Sequence, residues 1–184
     1  MINPSELDLL EESVIKINRT AKVTSRGKRF RFSALVAVGD GKGHVGIGLG
    51  KANEVIMCIQ KGKEIAKRNI VKIPLINGSI PHKIIGKHGA SKVMLKPAAP
   101  GTGIIAGGPI RAACEVLGVK DIVAKSIGTS NPHNVIRACM KALLNQKSPK
   151  NISLLRNKSI AISVVSYFHI QPSLPSLESA ITAP

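Results

Sequence analysis

The sequence is short of the residues that most enzymes and membrane proteins depend on. It has no Trp, one Tyr and three Phe in 184 residues, and only 10 Asp+Glu against 27 Lys+Arg. Acids so few and dispersed leave no paired carboxylates for general acid–base work. Cys58, Cys114 and Cys139 are too few and too scattered for a disulfide framework, which fits a reducing compartment. There is no Cys-x-x-Cys pair, and His133 and Cys139 stand off a single helical face, so no metal or cofactor is expected. No apolar run has membrane-spanning length, and no apolar segment follows a basic start as in a secretory signal. Apolar residues still make up 43%, which excludes wholesale disorder.

What is present in excess is positive charge, +17 in all, and it is unevenly placed. After Glu6, Asp8, Glu11 and Glu12 come Lys16, Arg19, Lys22, Arg26, Lys28, Arg29 and Arg31 with no acid between. Ile65–Cys114 and Ile122–Leu177 are also free of acids. Charge of this density repels itself unless a polyanion neutralises it, and solubility alone would be served equally by acids. Nucleic acid is therefore the leading partner. An anionic membrane surface is a weaker one, since no basic amphipathic helix stands out.

Residues 1–13 read as a short acidic helix or frayed terminus. Val14–Val23 and Phe30–Val38 read as strands joined by a turn at Gly27, and His44–Gly50 as a third after the turn Gly39–Gly43. In that third strand Gly46 and Gly48 leave one face bare, open to another backbone, a helix or a ligand. A helix capped by Asn53 runs to about Asn69, with Val55, Ile56, Ile59 and Ala66 as its apolar stripe. Residues 77–91 read as a connector. Ser91–Lys96 is a strand, Pro100–Gly108 a glycine-rich loop, and a helix follows with Pro109 in its first turn and Gly118 as its stop. Asp121–Ile127 is a strand, and Asn131-Pro132 opens a helix to about Asn145.

Gly41-x-Gly43-x-x-Gly46 matches a dinucleotide fingerprint in letters only, because a strand rather than a helix continues through Leu49. Gly86-Lys87-His88-Gly89 resembles the backbone-clamping loop of KH modules, but Pro81 and the following strand oppose the two helices that module needs. The glycine-rich loop resembles the phosphate loop of galactokinase-type kinases, without their serines or a base. Two core cysteines, Cys114 and Cys139, sit on apolar helix faces. The sharpest signal is the hairpin Arg19–Arg31, with six Lys/Arg in thirteen residues. Single-strand readers stack bases on aromatics, whereas here only Phe30 and Phe32 lie near the basic zone, and both read as core. Binding should be to structured RNA by shape and charge.

Asn18-Arg19, Phe32–Val36, Val38–Gly43, Val45–Ala52, Gly101–Gly108, Arg111–Gly118, Ala124–Gly128 and Asn131–Val135 together resemble the bacterial and organellar small-subunit ribosomal protein five family, over roughly Leu10–Ser148. The resemblance implies an α+β fold. A double-stranded-RNA-binding-like domain, a three-stranded sheet with a helix, precedes a small β-α-β-α domain of the fold shared with those kinases. The expected divisions are a flexible acidic terminus at 1–9, the first domain at 10–73, a connector at 74–90, the second domain at 91–148 and an extended tail at 149–184. From Ile160 the tail departs from the family's usual acidic helix.

Basic residues matching RNA-facing segments of the family are Arg19, Lys22, Arg26, Lys28, Arg29, Lys51 and Lys125, and Arg31, Lys42 and Lys87 join them on charge and position. Family membership implies small-subunit rRNA, mRNA where it enters the subunit, and ribosomal proteins four and eight, with three nearby, as partners. It also implies a part in decoding accuracy and mRNA unwinding. No membrane partner, homo-oligomer or catalysis is expected, and the place of work is the bacterial cytoplasm or an organelle interior. A free RNA chaperone is the alternative, and a phosphate-loop kinase a distant third.

Overall fold

The computed structural model describes residues 11–157. The expectations for residues 1–10 and 158–184 lie outside it. The body, through Gln146, holds two sheets. The first comprises β1 (Glu11–Thr24), β2 (Gly27–Gly39), β3 (His44–Ala52) and the short β4 (Val71–Lys72), antiparallel in that order. The second is built from β5 (Ile84–His88), β6 (Ser91–Pro97), β7 (Ile104–Ile105) and β8 (Ile122–Ile127) in the order β5-β6-β8-β7, with only β7 parallel to its neighbour. Helices α1 (Val55–Arg68), α2 (Gly108–Leu117) and α3 (Pro132–Leu144) complete it. This is the expected α+β architecture.

The bare face of β3 receives α1. A methyl group on Gly46, Gly48 or Gly50 would collide with the carbonyl oxygens of Ala66, Gly62 and Cys58 respectively. Two strand residues rise about 6.6 Å and four helix residues about 6 Å, so the glycines at every second strand position meet helix residues at every fourth position along the contact. The buried side of α1 is therefore Cys58-Gly62-Ala66. That corrects the apolar stripe read from sequence: Ile59 packs in part, but Ile56 is 73% exposed. The cap is corrected too. Glu54, not Asn53, stands at the N-cap, and no side chain bonds there.

The opposite face of the first sheet packs on α2 and α3, where Leu35, Ala113 and Ile136 form a core with Ile15, Ile47 and Leu49. A register shift between Val14 and Lys16 places the bulged Ile15 on this side. The two helices turn Ile110, Cys114, Leu117, Val135, Ala138, Cys139 and Leu143 to Val93, Leu95, Ile122 and Ala124 of the second sheet. The layers thus run α1, first sheet, α2 with α3, second sheet. The turn after β2 fixes the junction. Gly41 N–H and Gly43 N–H donate to the carbonyls of Val116 and Leu117, both at 3.1 Å. Asp40 braces that turn from within, accepting from the N–H of Lys42 (2.8 Å) and His44 (3.0 Å) and pairing with the His44 ring at 2.5 Å.

α2 ends at Gly118 with φ 84°, and α3 opens with Asn131 accepting from His133 N–H, as the sequence indicates. β5 falls within the expected connector. Gly86 is a close-approach position there, since a methyl group would strike the Ala138 carbonyl, so its glycine serves a strand under α3 rather than a loop. Beyond Gln146, Pro149–Arg156 form α4, with Ser148 accepting from Asn151 N–H at 3.2 Å, where an extended tail was expected.

Candidate nucleic-acid interface

β3 pairs with β2 only from Phe32 to Gly39, whereas the β1–β2 pairing continues to Thr24–Gly27. The last five residues of β1, Thr20–Thr24, and the first five of β2, Gly27–Arg31, thus form a two-stranded arm reaching about 15 Å past the third strand. Ser25-Arg26 make its tip and Gly27, φ 118°, absorbs the turn. Strand alternation sorts the charges. Lys22, Arg29 and Arg31 share a face with Lys16, Asn18, Ser33 and Lys51, the side on which α2 and α3 pack. Arg19 and Lys28 lie on the other face, where the Arg19 guanidinium stands 3.7 Å over the Phe30 ring. Phe32 packs against the core, but Phe30 is 44% exposed, which corrects its assignment as core: it lies beyond the end of β3.

Lys22 stands directly opposite Arg29 in the ladder. Like charges in that position destabilise a hairpin. No carboxylate of the described residues pairs with any base of the arm; the ion pairs found are Asp40–His44 and those of Glu12 with Lys63 and Lys67. The arm is therefore incomplete electrostatically without an external anion.

The other expected site residues lie elsewhere. Lys42 sits in the Asp40–Gly43 turn, at the far end of β2, about 40 Å along the strand from the tip. Lys87 and Lys125 are on the outer face of the second sheet, where Lys87 opposes Lys92 and Lys125 opposes Met94, among the exposed Ile85 and Ile127. Lys92 was missed, although the alternation Lys92-Met94-Lys96 marks it as outward. Also missed was a cleft of about 190 Å³ between the first sheet and the first turn of α3, lined by Lys16, Asn18 and Ser33 on one side and Asn131 and His133 on the other. Burial holds the His133 ring below the usual imidazole range, helped by the neighbouring Arg137, His88 and Lys51 charges. These groups come from β1, β2, β3, β5 and α3 and share no sequence signature.

The glycine-rich loop is held by its own chain. Asp121 Oδ1 accepts from Gly103 N–H at 2.8 Å, Thr102 Oγ1 donates to the Ala99 carbonyl at 2.7 Å, and Arg111 donates to the Ile104 carbonyl at 2.9 Å. Gly101 and Gly103 are there for positive φ. Gly86 and Gly89 belong to a β-hairpin, not to a loop between helices. Among the described residues no three His, Cys, Asp or Glu side chains could hold a metal, and no helix is long and apolar enough to cross a membrane.

A two-sheet body carrying a basic, carboxylate-free arm has the build of a structural RNA-binding protein. Residues 10–74 match the family described as ribosomal protein S5, N-terminal domain, and residues 86–156 that described as ribosomal protein S5, C-terminal domain. The small ribosomal subunit protein uS5 of Pelagibacter ubique (strain HTCC1062) is 55% identical over 155 residues, 84% of this chain and 91% of that protein. That of Lawsonia intracellularis is 55% identical over 154 residues, covering 84% and 94%, and that of Chloroflexus aurantiacus 54% over 147, covering 80% and 82%. The chain belongs to the ribosomal protein S5 family. It is a small-subunit ribosomal protein, RNA-binding and structural rather than enzymatic, with a place in translation.

Proposed function

We propose that the β1–β2 arm is the principal contact with small-subunit rRNA, holding structured RNA through its phosphates with little reading of bases. The observation that carries this is the arm itself: Lys22, Arg26, Lys28, Arg29 and Arg31 project past the third strand, with Arg19 at the arm's base, and none has a carboxylate partner among the described residues, at the cost of the Lys22–Arg29 repulsion. Lys51 extends that surface toward the body. Lys87 and Lys125 form a second basic face, and Lys42 a third, separate point of contact. From family membership we add the finer role: work inside the small subunit of a bacterial cytoplasm or an organelle, contact with ribosomal proteins four and eight with three nearby, and a contribution to decoding accuracy and to the entering mRNA. The boundaries 10–73 and 91–148 are our division of its two RNA-facing halves.

The test is RNA affinity against salt for wild type and for the triple variant Arg26→Glu, Lys28→Glu, Arg29→Glu. Every phosphate that the variant no longer neutralises should flatten the plot of log affinity against log salt by about 0.9. An unchanged slope moves the footprint off the arm. Sedimentation of a lysate at high salt distinguishes a subunit component, which stays with the small subunit, from a free RNA chaperone, which does not.

A further inference from the structure

The cleft between the first sheet and α3 has no part in the arm, yet it gathers positive charge from both halves of the fold. Lys16 from β1 and His133 from α3 line it. Lys51 from β3, His88 from β5 and Arg137 from α3 are the charges acting on His133, and no carboxylate is among them. His133 Nδ1 is buried and has no hydrogen-bond partner. An orphaned buried polar atom is costly, and a bound partner would relieve that cost. Asn18 and Ser33 face each other across the ladder and add uncharged polar groups to the same wall. The volume matches about six liquid waters at ~30 Å³ each, so a tetrahedral anion fits with part of its hydration. Neutral His133 supplies a lone pair or one N–H; protonated, it supplies a charged donor at Nδ1.

We infer that this cleft holds one phosphodiester of the bound RNA, so that a single RNA is gripped at once by the first sheet and by α3. The inference rests on the RNA-binding reading above, and it names a second, pH-sensitive contact that the arm does not contain. A phosphate anion among these cations favours the protonated imidazole, so RNA binding takes up a proton at His133. The charges acting on that ring are Lys51, His88 and Arg137, which repel the proton in the free protein, while Lys16 lines the same cleft; the phosphate offsets them in the complex. Affinity therefore rises as pH falls.

The experiment uses the full chain and a fluorescently labelled RNA hairpin, with affinity read by anisotropy at several salt concentrations between pH 7.5 and 5.5. Wild type should bind tighter at the low end, by up to about tenfold for each pKa unit that binding adds to His133. His133→Gln should remove that gain, whereas His88→Gln should keep it. Lys16→Gln, at an exposed cleft-lining residue outside the arm, should flatten the salt slope by about 0.9. Circular dichroism checks folding of each variant, and Lys16→Gln carries the test if His133→Gln does not fold. If the pH gain survives His133→Gln and the slope survives Lys16→Gln while the arm triple variant flattens it, the cleft inference is overturned and the arm reading stands. If wild type does not bind the hairpin, both fall. Ring signals of His133 that move with millimolar inorganic phosphate but not with RNA would identify a free-anion site and also overturn the inference.

Discussion

The contact of α1 with β3 is tight enough for one methyl group to measure it. In Gly48→Ala the new Cβ would overlap the Gly62 carbonyl and lie 2.6 Å from Ala66 N. The Gly62 carbonyl oxygen would lie 2.0 Å away, so to restore an ordinary contact of 3.4 Å the helix must retreat by about 1.4 Å along its central turns, a gap wider than the 0.5–1 Å that already forfeits a quarter to a half of each van der Waals well. No flexible side chain can absorb the overlap, because the obstructing atoms are backbone. Overpacking of this kind costs about 1–3 kcal/mol, and a purely backbone clash belongs at the upper limit. For a body of this size 3 kcal/mol lowers Tm by about 6–12 °C. Thermal unfolding followed by circular dichroism reads it. A Gly48→Ala protein within about 0.5 kcal/mol of wild type would refute the packing argument.

Three more outcomes are expected. Burial raises the Asp40 carboxyl, but the N–H groups of Lys42 and His44 and the His44 ring outweigh it, leaving the group below 3.8. Its folded pKa is depressed, so its stabilisation is present above pH 4 and is lost as pH falls through the lowered value. Asp40→Asn should cost about 2 kcal/mol at pH 7, a deficit that denaturant titrations should see shrink below pH 4. Burial pushes the Cys114 thiol up to about 12, and Cys58 and Cys139 are buried with it. A thiol reagent should therefore modify none of the three until guanidinium unfolds the body; fast labelling of the native protein would contradict their placement. Finally, Lys22→Thr removes the repulsion with Arg29 and should stabilise by about 0.2–1 kcal/mol while weakening RNA binding. A drop in both stability and affinity would mean the arm's charges are not in conflict.

Local signals were the legible ones. Pro109 with Gly118 and Asn131 with Pro132 bracket α2 and α3 because capping is decided within a few residues. The bare face of β3 announced a close approach, but not that α1 would meet it through Cys58, Gly62 and Ala66. Helix amphipathicity, read alone, favours large side chains such as Ile56 over the small ones that a glycine-lined strand demands. Phe30 was misplaced because the end of β3, a non-local fact, decides where the sheet stops being covered. Gly86 reads as a connector residue until α3 is laid across it. The arm was legible as a run of charge, whereas the cleft was not, since Lys16, Lys51, His88 and His133 converge only through the tertiary fold.

The layer formed by α2 and α3 has a consequence for how the protein can be divided. The two family matches end and begin on either side of residues 75–85, which suggests two modules that could be cut apart. Yet Leu35 and Leu49 belong to one half while Ala113 and Ile136, which cover them, belong to the other. Gly41 and Gly43 likewise find their carbonyl partners at the end of α2. A fragment ending near residue 74 would keep α1 on one side of its sheet and leave the opposite side wet. Inheritance by two domains and folding by one unit are thus different partitions of the same chain, and selection on either half is felt through the helices of the second.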